Sequence, residues 1–344
     1  MVPGDSDARG YLSVDRFIRD ALGARALASA LELGLVDRLQ QGPAASSREL
    51  AEFAHLDGRG MDLLAGMLCA NGIIEAADGG LRLTPGFGET LRYRDLLEAK
   101  LEFASLVAPD FFGLFTTLLR DPHGFFDKAK LFELFSYDRC FEPTPENYSS
   151  TARWMRFTTV LTRYEAAACM EHHDFSGYTR MLDVGGNSGE FALRICRRYP
   201  ALRATVFDLP LVCELGARHV GSEPEAPRID FVNVKPAGGA MPQSYDLVTF
   251  KSMLHDWPDE PMQDFLARAH AALRPGGKLL IFERSRAPVG PAQVAYSQIP
   301  IMLFFRSYRS AADYAQPLRT AGFRDITATT IDLDMPFMLV TASK

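Results

Sequence analysis

The sequence lacks the features that mark disulfide-rich, secreted or membrane-spanning proteins. Its 344 residues include only five cysteines, which are odd in number, widely spaced and without a C-x-x-C pair. This usage favours free thiols in a reducing compartment over disulfides or a zinc site. No apolar run reaches the ~18 residues of a membrane-spanning helix, and residues 1–10 are polar, without the apolar core of a secretion signal. We therefore expect a cytoplasmic protein without a membrane partner.

Positive charge is also scarce. The chain has 37 lysines and arginines against 43 aspartates and glutamates, which gives a formal net charge of −6. A protein that binds nucleic acid non-specifically needs a basic face, so this balance disfavours such a partner. The composition, 47% hydrophobic and 23% charged, is that of a globular protein, and the length allows one large domain or two medium ones.

The most informative stretch is residues 180–195, where a short apolar run ends in glycines and continues into an amphipathic pattern. Gly185 and Gly186 permit a tight turn that a residue with a Cβ would resist. A strand that turns directly into a helix brings backbone N–H groups and the helix N-terminus against a ligand. The spacing is G-G-x-x-G, ending at Gly189, rather than G-x-G-x-x-G, which counts against a dinucleotide.

From residue 180 onward, strand patterns alternate with helical ones. This alternation predicts a Rossmann-like, doubly wound and mostly parallel sheet of seven strands. The short connection between the last two strands, residues 332–334, predicts an antiparallel hairpin at the sheet edge. The seven predicted strands are 180–185, 204–208, 229–234, 245–250, 278–283, 324–331 and 336–342.

Several polar residues are predicted at the carboxyl ends of these strands, where an open parallel sheet binds its ligand. Asp183 lies by the first turn, and Asp208 ends the second strand, where a carboxylate can accept hydrogen bonds from ribose hydroxyls. Lys251 and His255 follow the fourth strand, and Glu283 ends the fifth. The imidazole can take up a proton near neutral pH, with the neighbouring carboxylate to orient it. The alternatives are a helix N-cap for Asp208 and an exposed strand end for Glu283.

The N-terminal part has the pattern of a winged helix-turn-helix. Residues 12–40 are periodic with a break at Gly34, and Ser46-Ser47-Arg48-Glu49 has the form of a capping box. A helix over 61–70 ends at Asn71-Gly72, and Asp78-Gly79-Gly80 separates two strand-like runs. Such a unit binds DNA, or it reuses the shape for packing or dimerisation. The acidic residues around Arg48 and Arg59 disfavour DNA.

Residues 94–170 are expected to form several helices with many aromatic side chains, interrupted at Pro143 and Pro145. These aromatics form core or line a pocket for a flat substrate. On the last of these helices, Arg153, Arg156 and Arg163 share one face. That face is either a solvated surface or an anion-binding wall.

Taken together, the motifs resemble those of the S-adenosylmethionine-dependent O-methyltransferases of the caffeic-acid and hydroxyindole type, including bacterial members that tailor polyketides and other natural products. The resemblance spans nearly the whole chain. The matching runs are Leu-Asp-Val-Gly-Gly-Asn-Ser-Gly (182–189), Val-Phe-Asp-Leu-Pro (206–210), Lys251 with Leu-His-Asp-Trp (254–257), Leu-Arg-Pro-Gly-Gly-Lys-Leu-Leu-Ile-Phe-Glu (273–283), Met302-Leu303 and Ala321-Gly322-Phe323.

The resemblance implies a role for each matching position. His255 would deprotonate a hydroxyl group so that its oxygen attacks the sulfonium methyl in line, and Glu283 would steady the histidine. The cofactor S-adenosylmethionine would be held by Asp183, Gly185, Gly186, Gly189, Asp208, Leu209, Lys251 and Met155. The acceptor would be contacted by Asp256, Trp257, Met302, Phe305, Arg306 and Tyr308.

The resemblance also implies a homodimer, formed through an N-terminal winged-helix dimerisation domain over residues 1–100. A catalytic domain would follow over 101–344, with connecting helices over 101–170. Three positions depart from the family pattern. Val234 stands where an aspartate usually contacts adenine, Tyr308 replaces a second glutamate that supports the histidine, and Asn187 replaces a third glycine. With one orienting carboxylate lost, we expect a weaker base, and Tyr308 is a candidate donor to the substrate.

The sequence therefore predicts O-methylation of a small aromatic or planar secondary metabolite, with no metal. Arg153, Arg156, Arg306 and Arg309 suggest an acidic acceptor. One alternative is C-methylation of a 2-oxo acid or an aromatic carbon in the same fold. Another, from a different class, is a non-enzymatic winged-helix regulator that senses the cofactor. His255 and Glu283 favour the enzyme, since a sensor needs neither.

Overall fold

The computed structural model describes residues 9–234, 240–286 and 294–344, so most of the polar N-terminus lies outside the described residues. The described helices are α1 (Ala21–Glu32), α2 (Leu35–Gln41), α3 (Ser47–Ala54), α4 (Gly58–Ala70), α5 (Pro85–Thr90), α6 (Arg94–Gly113), α7 (Phe115–Arg120), α8 (Pro122–Lys128), α9 (Pro145–His172), α10 (Glu190–Arg198), α11 (Pro210–Val220), α12 (Asp259–Ala272), α13 (Ile299–Met302) and α14 (Ala311–Thr320). The described strands are β1 (Ile74–Ala77), β2 (Gly80–Leu83), β3 (Arg180–Val184), β4 (Arg203–Asp208), β5 (Ile229–Asn233), β6 (Tyr245–Lys251), β7 (Leu273–Arg284), β8 (Arg324–Asp332) and β9 (Pro336–Ser343).

The chain divides into two compact units. The first contains Met1–Ala129 and Pro291–Leu303, and the second contains Lys130–Gly290 and Phe304–Lys344. Across the described ranges, none of the helices combines the length and the apolar character needed to cross a membrane.

In the first unit, the local signals read from the sequence form as expected. Gly34 has φ +71° and separates α1 from α2, and Gly72 has φ +68° just beyond α4. The predicted capping box at the start of α3 is present, since Ser46 and Glu49 each accept a hydrogen bond from the other's backbone N–H. Strands β1 and β2 pair as the predicted antiparallel hairpin, with Ile74 opposite Leu83.

The second unit is built on a sheet whose strand order, over the described residues, is β5-β4-β3-β6-β7-β9-β8. Pairing is parallel from β5 to β7, and β7–β9 and β9–β8 are antiparallel. All seven predicted strands and the antiparallel hairpin at the edge are therefore confirmed. The strand order reverses at β3, so the carboxyl end of β3 lies at the switch point where open α/β sheets bind ligands.

Alternate residues of the central strands enter two different hydrophobic clusters. Leu182 and Val184 of β3 belong to one cluster with Val248 and Phe250, whereas Met181 belongs to another. A sheet covered on both faces explains why its parallel strands are almost continuously apolar. Strand β7 begins five residues earlier than predicted because Leu273 pairs with Tyr245 across an irregularity in the ladder.

Candidate active site

The glycine turn after β3 is tight and partly left-handed. Gly185, Asn187 and Gly189 have φ values of +67°, +53° and +75°. The Gly189 N–H donates to the carbonyl of Gly186 at 2.9 Å, and Gly189 is the N-cap of α10. Asparagine tolerates this conformation better than most residues, which explains how Asn187 occupies the place of a third glycine.

At Gly185 and Gly186 a side chain would also lack space. A Cβ at Gly185 would lie 2.5 Å from Cγ of Met253, and a Cβ at Gly186 would lie 2.6 Å from Oδ2 of Asp183. Met253 is two residues before His255, so the glycine turn packs directly against the loop that carries the histidine. The predicted cofactor turn and the predicted base therefore lie side by side at the end of the sheet.

Asp183 is completely buried beneath the glycine turn. Its Oδ1 accepts a hydrogen bond from the Thr249 hydroxyl at 2.7 Å, while within the described residues its Oδ2 has no hydrogen-bond partner. Burial raises the pKa of this carboxyl to about 7, because the single hydrogen bond offsets only part of the lost hydration. An unsatisfied carboxyl oxygen at this depth is costly, so Asp183 is a candidate member of a ligand site.

Asp208 ends β4 and binds the same turn. Its Oδ2 accepts from the backbone N–H of Asn187, and its Oδ1 accepts from the N–H of Leu209, both at 2.7 Å. Burial raises its pKa to about 6 despite these two bonds. The N-cap of α11 is Leu209, so Asp208 lies one residue before the cap position. Next to it, Met155 packs in a cluster that includes Leu209 at its edge.

Lys251, which the resemblance assigns to the cofactor, has partners within the chain. Its ammonium forms an ion pair with the buried carboxylate of Glu165 on α9, and it donates to the hydroxyl of Thr162 at 2.9 Å. The other oxygen of Glu165 accepts from Arg284 at 2.6 Å, and Arg284 also pairs with Asp334 at 3.0 Å. We call Glu165, Lys251, Arg284 and Asp334 the buried ion network. It ties α9 to the carboxyl end of β6, to β7 and to the β8–β9 turn.

His255 lies between two carboxylates. Its Nδ1 is 3.2 Å from Oε2 of Glu283, and its Nε2 is 3.4 Å from Oδ1 of Asp256. The histidine is 9% exposed and Glu283 is fully buried, so Glu283 is not an exposed strand end. Burial lowers the pKa of the imidazole, but Asp256 and Glu283 outweigh that effect and raise the pKa above its ordinary value.

Tyrosines surround this pair. The Tyr314 hydroxyl donates to the second oxygen of Glu283. The ring of Tyr308 packs against His255 at 5.2 Å between centroids, and Tyr308 is only 4% exposed. Burial raises the pKa of the Tyr308 hydroxyl well above its ordinary range. At the position where the family pattern has a second glutamate, this chain therefore has a neutral phenol in contact with the His255 ring.

The residues predicted to contact the acceptor have different surroundings. Trp257 stacks on Tyr137 at 6.5 Å and 24°, beside Asp256. Phe305 packs under the guanidinium of Arg306, at 4.7 Å from the ring centroid, and Arg306 is exposed. Met302 belongs to the first unit, where it ends α13.

The arginines suggested for an acidic acceptor and for the anion-binding face of α9 differ in their surroundings. Arg309 donates to the carbonyls of Leu254 and Trp257 at 3.0 and 2.8 Å and so fixes the loop around the histidine. Arg163 pairs with Glu190 at 3.2 Å. Arg153 and Arg156 are exposed, as on a solvated face.

Three functional neighbours were missed from the sequence. Tyr137 and Tyr314 lie far from the motifs along the chain, and no spacing signals their contacts. Glu165 did carry a signal, because it lies four residues from both Leu161 and Cys169 on the buried stripe of α9. A carboxylate on an apolar stripe requires a buried partner.

The site fits the predicted cofactor. A glycine turn that admits no Cβ, an unpartnered buried carboxylate oxygen and an acid at the end of β4 form a site for a ligand with amino and hydroxyl groups. Val234, in the usual place of the adenine-binding aspartate, is half-buried against the core and offers an apolar contact instead. Within the described ranges, no three histidine, cysteine or acidic side chains converge as a metal site.

Comparison with known proteins identifies similar chains. Residues 125–324 match a family model described as the O-methyltransferase domain. A 3-hydroxy-5-methyl-1-naphthoate 3-O-methyltransferase from Streptomyces sahachiroi is 28% identical, over 87% of this chain and 86% of its own length. The acetylserotonin O-methyltransferase of Rattus norvegicus is 26% identical, over 94% of this chain and 76% of its own length. The solved human N-acetylserotonin methyltransferase, a complex with S-adenosylmethionine, superposes with a TM-score of 0.74 at 21% identity and covers 94% of both chains.

Proposed function

The chain belongs to the O-methyltransferase domain family, a family of S-adenosylmethionine-dependent enzymes, and on that premise we propose that it methylates a hydroxyl group of a small aromatic metabolite. The observation that carries this proposal is the buried His255–Glu283 pair, which lies beside the glycine turn at the carboxyl edge of the sheet. A pure binding protein has no need of a histidine whose pKa two carboxylates raise.

Asp183, Gly185, Gly186 and Asp208 would hold the cofactor. Asp183, buried against the glycine turn, would hold that turn in place, and the Asp208 carboxylate would accept hydrogen bonds from the ribose hydroxyls of the cofactor. When bound, S-adenosylmethionine supplies a methyl group on a positively charged sulfur. Lys251 would act through α9 rather than by direct contact, because Glu165 and Thr162 hold its ammonium.

His255 would remove the acceptor's hydroxyl proton. Glu283 holds Nδ1–H, so the lone pair of Nε2 would receive that proton, and Asp256, 3.4 Å from Nε2, would pair with the imidazolium once it has formed. The buried carboxylate then stabilises the imidazolium that forms, and the raised pKa makes the imidazole a stronger base. We therefore expect kcat/KM to rise with pH through the pKa of His255, because the protonated ring cannot act.

An aromatic acceptor is supported by the site and by the relatives. Trp257, Tyr137 and Trp154 form a group of contacting rings beside Asp256, as a flat substrate would require. The Streptomyces sahachiroi relative acts on a hydroxynaphthoate, and another relative, from Streptomyces alboniger, is an O-demethylpuromycin-O-methyltransferase. An acidic acceptor would be recognised by Arg306.

The direct test is labelled methyl transfer. The purified enzyme is incubated with methyl-labelled S-adenosylmethionine and a panel of hydroxynaphthoic acids and neutral naphthols. We expect label on oxygen, and His255→Ala to lower turnover by roughly 10²–10⁴-fold while the affinity for S-adenosylhomocysteine stays near that of the wild type. Wild-type turnover in His255→Ala would contradict the mechanism, and label on carbon would favour C-methylation. Equal rates of methyl transfer to the hydroxynaphthoic acids and to the neutral naphthols would contradict recognition of an acidic acceptor by Arg306.

For the whole chain we propose a homodimer that assembles through an N-terminal winged-helix domain over residues 1–100, followed by a catalytic domain over 101–344. The helices α3 and α4 with the β1–β2 hairpin support the winged-helix part, and the acidic composition supports packing rather than DNA binding. A cytoplasmic location is supported by the five cysteines, which are all free thiols. Sedimentation velocity of the full chain and of a variant without residues 1–100 would test the dimer.

A further inference from the structure

We propose that Tyr137 is a positioning residue that holds Asp256 against Nε2 of His255, and that Asp256 thereby supplies the second carboxylate of the catalytic base. The inference rests on the proposed role of His255 as the base. It replaces the expectation that Tyr308, in the place of the family's second glutamate, leaves the histidine with a single carboxylate.

The contacts form one continuous chain across the imidazole. The Tyr137 hydroxyl donates to Oδ2 of Asp256 at 2.7 Å, and Oδ1 of Asp256 is 3.4 Å from Nε2 of His255. On the other side of the ring, Nδ1 is 3.2 Å from Glu283, whose second oxygen accepts from Tyr314. Each carboxylate therefore has one oxygen on the imidazole and the other on a tyrosine hydroxyl.

Asp256 needs such a partner because its side chain is not enclosed. It is 25% exposed, whereas the Glu283 side chain is fully buried. A carboxylate at the surface gains more from water than from a neutral imidazole, so it would rotate outward unless another group held it. The Tyr137 hydroxyl can hold Asp256 because the tyrosine ring is fixed between two tryptophans. Its centroid is 5.7 Å from that of Trp154 and 6.5 Å from that of Trp257.

The loop itself is held independently of the carboxylate. Arg309 donates to the carbonyls of Leu254 and Trp257, on either side of the histidine and aspartate. Removal of the Tyr137 hydroxyl should therefore free the Asp256 side chain and leave the backbone in place. This separation makes the hydroxyl testable with a single-atom change.

The contacts around His255 define where the proton of the acceptor hydroxyl goes. The acceptor's O–H bond breaks, the proton goes to Nε2 of His255, and the electron pair stays on the acceptor oxygen. The imidazolium is then flanked by Glu283 and Asp256, and the proton leaves to water after the reaction. The charged or titratable groups that act on this ring are Asp256, Glu283, Arg284 and Tyr308, with Tyr137 and Tyr314 behind the two carboxylates.

The test is an NMR titration of the His255 ring in the full chain without cofactor or acceptor. The signal is assigned by its loss in His255→Ala. We expect Asp256→Asn to lower the pKa of His255 by roughly 1 pH unit, because an opposite charge this close has been removed. Tyr137→Phe should also lower the pKa of His255, but by a smaller amount. Tyr148→Phe is the matched control, since it removes a hydroxyl that donates to Glu214 on an exposed surface, and it should leave His255 unchanged.

Two further results make the test specific. In the Asp256→Asn background, Tyr137→Phe should have no additional effect, because the two residues act through one contact. Once an acceptor is known, the pH dependence of kcat/KM can be measured as well. In each variant, its acidic limb should move to lower pH by the same amount as the pKa of His255 in the NMR titration.

An unchanged or raised pKa of His255 in Tyr137→Phe overturns the proposal, and so does an unchanged pKa in Asp256→Asn. If Tyr137→Phe does not fold, the Asp256→Asn titration alone decides. Because the titration needs neither cofactor nor acceptor, its failure is distinguishable from failure of the methyltransferase assignment, which rests on labelled methyl transfer.

Discussion

Two groups of buried charges lie at the carboxyl edge of the same sheet, and they differ in one respect. In the buried ion network, the carboxylate of Glu165 contacts both Lys251 and Arg284. Burial alone would raise its pKa, but these two cations lower it below its ordinary value. Around the glycine turn, Asp183 and Asp208 have only hydroxyl and backbone donors, and their pKa values rise to about 7 and about 6.

The partners of a buried carboxylate indicate whether it stabilises the fold or is available to a ligand. A buried charge that faces charges of the opposite sign holds elements of the fold together. A buried carboxylate with only neutral hydrogen-bond donors among its described contacts is a candidate for binding a ligand. Lys251 has the contacts of the first kind. We propose Asp183 and Asp208, which have the contacts of the second kind, as part of the cofactor site.

The largest expected effect comes from breaking the paired group. Glu165→Ala leaves Lys251 and Arg284 without their shared carboxylate, so the free energy of unfolding should fall by roughly 3–5 kcal/mol. Urea denaturation at neutral pH measures this. Glu171→Ala, an exposed position on the same helix, is the matched control and should change stability little. If the two variants unfolded at the same urea concentration, the network would not hold elements of the fold together as described above.

The next effect comes from removing the charge of an unpaired carboxylate. Asp183 has a folded-state pKa of about 7, well above that of an exposed aspartate, so the folded chain binds the extra proton and wild-type stability falls as the pH rises toward 7. Asp183→Asn removes this dependence. The stability of the variant relative to wild type should grow by up to about 1.4 kcal/mol per pH unit between pH 5 and 7 and then level off.

Urea unfolding at several pH values measures that difference. Asp230→Asn, at an exposed position on β5, serves as the control and should show no such growth. A difference between Asp183→Asn and wild type that stayed constant from pH 5 to 7 would show that the Asp183 carboxylate is solvated or paired in the folded chain.

Much of the fold followed from the sequence because its determinants are local. Apolar runs, the glycine turn and the hairpin signals lie within a few residues of the elements they form, and all seven sheet strands were predicted. The start of β7 was misplaced because the partner that extends it, Tyr245, is distant in the sequence. The pairing of His255 with Glu283 was also predictable, since His255 follows β6 and Glu283 lies at the end of the neighbouring parallel strand β7.

The remaining contacts of the site depend on side chains from distant parts of the chain. Tyr137 reaches Asp256 across 119 residues, and Arg284 reaches Glu165 across the same separation. Tyr314 contacts Glu283 from a helix that follows the sheet motifs. No periodicity or spacing connects such pairs, and none indicates that Arg309 donates to the carbonyls of the histidine loop.

The most direct test of the account is a calorimetric titration with S-adenosylhomocysteine of the wild type, of Asp208→Asn and of the exposed control Asp174→Asn. The account predicts micromolar affinity for the wild type and the control. It predicts a loss of about tenfold or more for Asp208→Asn, because a hydrogen bond to a charged group contributes roughly 1.5–3 kcal/mol. If the folded, ligand-free wild type failed to bind, or if Asp208→Asn bound as tightly as the control, the glycine turn and Asp208 would not form the cofactor site.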